Sequence, residues 1–168
     1  MNGSKDLKTI IYFKGVYDTL DLFTDHLIEA FESMGYGTFV YHTANEEVSK
    51  KMLLRLLGES QEFAAVTFNN LGYNLSFEQP EAAEGEEGKP EEYNIWDYFH
   101  IPYIDILMDH PFHYEKPLCN MPKTAVILCT DRNHVKYIRR FFKNIHQTDF
   151  LPHAGVELGH KHKPLNDR

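Results

Sequence analysis

Ile101-Pro-Tyr-Ile-Asp-Ile-Leu-Met-Asp-His-Pro111 is the stretch on which the reading of the fold turns. Ile104, Ile106, Leu107 and Met108 crowd together instead of alternating with polar residues, the pattern of a strand covered on both faces, as in a parallel sheet. Pro111 forbids the ladder from continuing. Asp109 and His110 are thereby left at the carboxyl end of a buried strand, which in open α/β sheets is where ligands bind. The same residues also suit a plain turn, with Asp109 as its cap and His110 as a loop residue.

Outward from this strand the chain alternates. Residues 9–14 (Thr-Ile-Ile-Tyr-Phe-Lys) are β-branched and aromatic and stop at Gly15, which predicts a first strand. Val16, Leu20, Phe23, Leu27, Phe31 and Met34 recur at helical spacing until Gly35 and Gly37. Thr38–His42 reads as the second strand. Asn45 caps a second helix with Val48, Met52, Leu53, Leu56 and Leu57 facing inward until Gly58, and Phe63–Phe68 reads as the third strand. Tyr73–Phe77 suits a short strand, and Tyr93 to Phe99 a short aromatic helix before the central strand. Beyond Pro111 a connection with Pro117 and Pro122, carrying Cys119, leads to the strand Thr124–Cys129. Asp131 then caps a helix with the inward stripe Val135, Ile138, Phe141, Phe142 and Ile145, and Asp149–Pro152 is a last strand. Such β-α-β alternation demands an α/β, Rossmann-like domain: a mostly parallel sheet with helices on both faces, three layers deep. The strand ends Asn69-Asn70, Asp109-His110, Thr130-Asp131 and His153 would then lie along one edge and line one crevice.

Composition sets the limits. The 168 residues suffice for one domain with a real core, and 42% hydrophobic with 14% aromatic residues places the chain among globular proteins. Seven glutamates against Lys89 between 78 and 92 carry −6 of the formal −8, leaving −2 for the remainder. That stretch has no apolar residue larger than alanine, so a flexible acidic loop is expected there. A nearly neutral body offers no nucleic-acid surface, and the basic face Lys136, Arg139, Arg140 and Lys143 reads as solvated. Cys119 and Cys129 show no metal or redox spacing. No signal peptide and no run of about 18 apolar residues are seen, so a cytoplasmic protein without a membrane span is expected.

The motifs exclude more than they support. Lys14-Gly-Val-Tyr-Asp18 is not GxGxxG, no GxxxxGK[ST] follows a strand, and GxSxG is missing, which removes dinucleotide, P-loop and hydrolase-elbow chemistry. Asp109-His110-x-x-His113 and His160-x-His162 fit no zinc spacing, and no metal or cofactor is expected. What remains is a cleft of carboxylates, imidazoles and amides, suited to a polyhydroxylated ligand and a general base.

Three segments, 101–112, Val126-Ile-Leu-Cys-Thr-Asp131 and Phe150-Leu-Pro-His-Ala-Gly155, resemble the N-terminal domain of CgeB-like bacterial glycosyltransferases, where it precedes a glycosyltransferase group 1 domain. The likeness runs from Thr9 to Gly155, with the 78–92 stretch as an insertion. It implies a GT-B arrangement, in which the N-terminal half binds the acceptor saccharide or glycoconjugate and the C-terminal half the nucleotide sugar. On that basis Asp109 and His110 are expected to contact the acceptor or act as base, with Asn69, Asn70, Asp131 and His153 around them. The second half would lie beyond Arg168, so this chain alone would not transfer sugar. The other reading is a flavodoxin- or receiver-like binding module, although a receiver needs acids where Lys14 and Asn69 stand.

Overall fold

Five consecutive residues, Thr9 to Phe13, are buried in the first strand of the computed structural model, which describes residues 8–59, 62–78 and 92–153. The chain runs β1 (Lys8–Lys14), α1 (Asp18–Ser33), β2 (Gly37–His42), α2 (Glu46–Leu57), β3 (Glu62–Phe68), β4 (Ser76–Glu78), β5 (Glu92–Asn94), α3 (Ile95–Tyr98), β6 (Tyr103–Leu107), α4 (Glu115–Cys119), β7 (Ala125–Cys129), α5 (Arg132–Phe141) and β8 (Gln147–Phe150). A strand buried on both faces must lie inside a covered sheet, and β1 pairs in parallel with β2 on one side and β3 on the other. β6, β7 and β8 add beyond β3, giving an all-parallel, six-stranded, Rossmann-like sheet in the order β2-β1-β3-β6-β7-β8. The stretch 101–111 therefore supplies an interior strand, as its crowded apolar residues require.

Period-two alternation divides the core. Ile10, Tyr12, Val66, Phe68 and Ile106 meet Leu20, Phe23 and Leu27 of α1 on one face. Ile11, Phe13, Ala65, Tyr103, Leu107 and Ile127 meet α2, α3, α4 and α5 on the other through Leu53, Trp96, Leu118 and Ile138. One face thus carries a single helix among the described residues.

Several local expectations need correction. Val48 and Met52 are 61% and 56% exposed; the inward stripe of α2 is Ser49, Leu53 and Leu57. Ser49 belongs inside because its hydroxyl accepts from His42 N and donates to His42 O, both at 3.1 Å, tying α2 to the end of β2. Asn45 occupies the cap position of α2 without a side-chain hydrogen bond. Val16 and Met34 lie outside α1 and are exposed, as is Phe141. Cys119 ends α4 instead of lying on a loop, because Pro117 sits in the first turn, where its missing N–H is harmless. Ser76–Glu78 pairs antiparallel with Glu92–Asn94 in a separate two-stranded ribbon, so both ends of the acidic stretch are strands; residues 79–91, and with them the expected loop, lie outside the described residues. So do His160 and His162.

Gly72 shows how the segment after β3 is fitted. Its φ is +75°, and a Cβ there would stand 2.3 Å from Phe13 Cε1. Its carbonyl accepts from Trp96 Nε1 at 2.7 Å, and the neighbouring Leu71 carbonyl accepts from Tyr103 Oη at 2.8 Å. Two buried aromatics, Trp96 of α3 and Tyr103 of β6, thereby anchor the segment that directly follows Asn69 and Asn70.

Candidate functional site

At the end of β1, Gly15 N–H donates to both carboxylate oxygens of Asp21, at 3.0 and 3.1 Å, and Lys14 Nζ pairs with Asp25 at 2.7 Å. In a doubly wound sheet this turn and helix start form the usual phosphate cradle. Here the chain's own carboxylate takes that donor, and Asp18 and Asp21 add negative charge to the first turn of α1. The position repels anions.

At the end of β3 the backbone turns left-handed twice, at Asn69 (φ +48°) and Asn70 (φ +65°). Asn69 reaches across to β6: its N–H donates to Ile106 O at 3.2 Å, its Oδ1 accepts from Met108 N at 2.9 Å, and its Nδ2 donates to Asp109 Oδ2 at 3.0 Å. Tyr114 Oη donates to the same Asp109 oxygen at 3.0 Å. Burial, reinforced by the bond to Asp109, pushes the Tyr114 phenol well above its ordinary value, so it remains a donor. Asp109 is exposed, and its Oδ1 takes no hydrogen bond among the described residues. A carboxylate with one oxygen held by two donors and the other open is equipped to accept a ligand hydroxyl.

The remaining candidates point elsewhere. His110 Nδ1 accepts from Phe112 N at 3.1 Å, capping the turn Pro111–Tyr114, which leaves the ring proton on Nε2. Its ring stands edge-on to His134 and Tyr137 of α5, with centroids 4.7 and 5.2 Å apart. Burial and the neighbouring His110 lower the His134 pKa. The turn cap is thus His110, not Asp109. Asp131 Oδ1 accepts from Asn133 N at 2.6 Å and caps α5. Asn70 is buried, 4% exposed. His153 lies on the opposite face, lining a cavity of about 350 Å³ between α1 and the ends of β6 and β8, with Phe23, Met108 and Thr130 among its walls. Asp109, His110 and Asp131 do not line that cavity. The edge divides into a polar rim, Asn69–Asp109–Tyr114, and an apolar cavity holding His153.

Three residues outside the sequence-based set matter here. Tyr114 completes the rim. His134 faces His110. Asp105, in the middle of β6, is fully buried and accepts from Asn70 N at 2.9 Å through Oδ1, while Oδ2 has no partner among the described residues. Burial pushes its carboxyl up to about 7, against the lowering effect of the Asn70 N–H. A lone acid within an apolar strand was a readable signal, since unpaired acids are almost never fully buried.

No group of three or more metal-ligating side chains and no helix long and apolar enough to cross a membrane occurs among the described residues. Comparison with protein-family models, curated proteins and solved structures returns no match.

Proposed function

We propose that this chain binds the acceptor in a bacterial glycosyltransfer reaction, engaging a saccharide hydroxyl through Asp109, while a separate domain carries the nucleotide sugar. The observation that supports it most is the Asp109 carboxylate, oriented by Asn69 and Tyr114 and open at one oxygen on an exposed rim. The blocked cradle at Gly15 agrees: with Asp21 on the Gly15 N–H, the edge disfavours a diphosphate and suits a neutral, hydroxyl-rich ligand. Alone, the domain holds one reactant of two and is inactive, because transfer needs the hydroxyl and the anomeric carbon about 3–3.5 Å apart.

The test is a chemical-shift titration of the labelled chain with neutral saccharides and, separately, with nucleotide sugars. The expected result is weak saccharide binding with shifts at Asn69, Asp109 and Tyr114, lost in Asp109→Asn, and none with nucleotide sugars. Tight nucleotide-sugar binding, or saccharide shifts indifferent to Asp109→Asn, would overturn the reading. The sheet order favours one other reading, a flavodoxin-type module, which binds at the junction of β1 and β3. Flavin mononucleotide in the same titration discriminates, and the Asp21 contact argues against it.

A further inference from the structure

Asn69 and Asn70 are consecutive non-glycine residues in left-handed backbone, a conformation that persists only where its surroundings hold it. Asn69 is held by three bonds to β6 and its continuation. Asn70 has two, both through the backbone: its carbonyl accepts from Tyr73 N at 3.4 Å, and its N–H donates to Asp105 Oδ1 at the better distance of 2.9 Å. Its carboxamide is buried with neither polar atom partnered among the described residues. An apolar side chain at position 105 would pack in the strand without any desolvation cost, but it would leave the Asn70 N–H without an acceptor.

We propose that Asp105 is the positioning residue of the rim: its buried carboxylate holds the Asn70 N–H, and through it the left-handed turn that aims the Asn69 carboxamide at Asp109, so that the charge on Asp105 is felt at the binding edge. An N–H bond to a carboxylate is roughly twice as strong as one to a neutral acceptor. Protonation therefore loosens the Asn70 anchor, and the turn passes the change to Asn69, whose single carboxamide serves both Met108 N–H and Asp109. The elevated carboxyl puts this change near neutral pH. Tyr103 on the same strand, Cys129 on β7 and Tyr114 on the following turn are the titratable groups that interact with Asp105, and burial holds all three well above neutrality. His110 and His134 are the titratable groups near the rim from the β6 end and α5, and their ring protons report their own midpoints.

The inference takes the rim as the binding edge, following the reading above, but its test contains no saccharide, so the two fail separately. The Asp105 carboxyl carbon, the Asn70 and Met108 amides and the Asn69 side-chain amide are followed by NMR from pH 5 to 9. The expected result is one midpoint near pH 7 shared by the Asp105 carboxyl and the three amides, and its loss from the Asn69 and Met108 signals in Asp105→Asn, which keeps an oxygen for the Asn70 N–H. Should that variant not fold, the wild-type carboxyl and amide midpoints decide alone. Asn69 and Met108 signals that stay flat, or that follow the histidines, would reduce Asp105 to a buried strand residue and overturn the proposal.

Discussion

Gly72→Ala should be among the most damaging single-methyl changes in the described chain, although position 72 lies in a turn. The added carbon would stand 2.3, 2.4 and 3.0 Å from Phe13 Cε1, Cζ and Cδ1, where carbon atoms ordinarily rest about 3.5–4 Å apart. Phe13 cannot yield freely: it is 3% exposed on the strand between β2 and β3, with Tyr41 and Trp96 ring centroids at 5.3 and 6.0 Å. Overpacking of this kind costs about 1–3 kcal/mol, and holding an alanine at φ +75° adds about 1–2 kcal/mol. The expected loss is about 2–5 kcal/mol, which for a chain of this size lowers Tm by roughly 4–20 °C. Trp96 is the sole tryptophan and donates to the Gly72 carbonyl, so its fluorescence during urea unfolding reports on the perturbed site. Repeating the substitution in a Phe13→Leu background separates the two terms, because a clash disappears with the ring while backbone strain persists. A loss under about 1 kcal/mol, or an equal loss in both backgrounds, would refute the steric reasoning.

Asp105→Asn should change how stability depends on pH. The folded carboxyl titrates near 7, above its unfolded value, so its contribution is fully present below about pH 4 and is lost as pH rises to about 7. The variant should match wild type near pH 4 and exceed it at pH 8, by about 4 kcal/mol at most; parallel urea midpoints across that range would contradict this. Asp21→Asn should cost about 1 kcal/mol by weakening the bond to Gly15 N–H and the charge at the start of α1, with thermal melts as the measure. Tyr114→Phe removes one of the two donors on Asp109; it should leave unfolding within about 1.5 kcal/mol of wild type yet weaken any saccharide shifts at the rim, and full retention of those shifts would exclude the phenol from orienting the carboxylate.

The sheet was legible because its strands are short apolar runs separated by helical stripes, a pattern that survives errors in any one element. The β4–β5 ribbon resisted reading since three-residue strands far apart in sequence carry almost no periodic signal; Tyr73–Phe77 marked the place but not the partner. Val48 and Met52 are apolar yet face outward, because the inward position goes to Ser49 for its hydrogen bonds with His42, which apolarity does not register. At the site, the strand ends were legible and the directions of their side chains were not. His110 turns to cap its own loop and Asp131 caps α5, choices set by backbone N–H groups that only the folded turn presents. The acceptor role of Asp105, inside the strand, is hidden in the sequence, since it depends on the Asn70 N–H, 35 residues away, that only the folded sheet brings to it.

Beyond β3, the strands β6, β7 and β8 join the six-stranded sheet at one growing border in the order in which the ribosome releases them, while β1 has both neighbours in hand once residue 68 has emerged. A nascent chain can therefore close β2-β1-β3 around α1 and α2 before β6 exists, and extend that nucleus one strand at a time. Every pairing in this sheet is parallel, so no hairpin offers a shortcut and each addition must first close a long crossover, which slows refolding of the complete chain in vitro relative to a helical protein of its size. Synthesis supplies the order that dilution from denaturant does not, and the border left exposed until last is β8, the strand that leads into His153 and the apolar cavity.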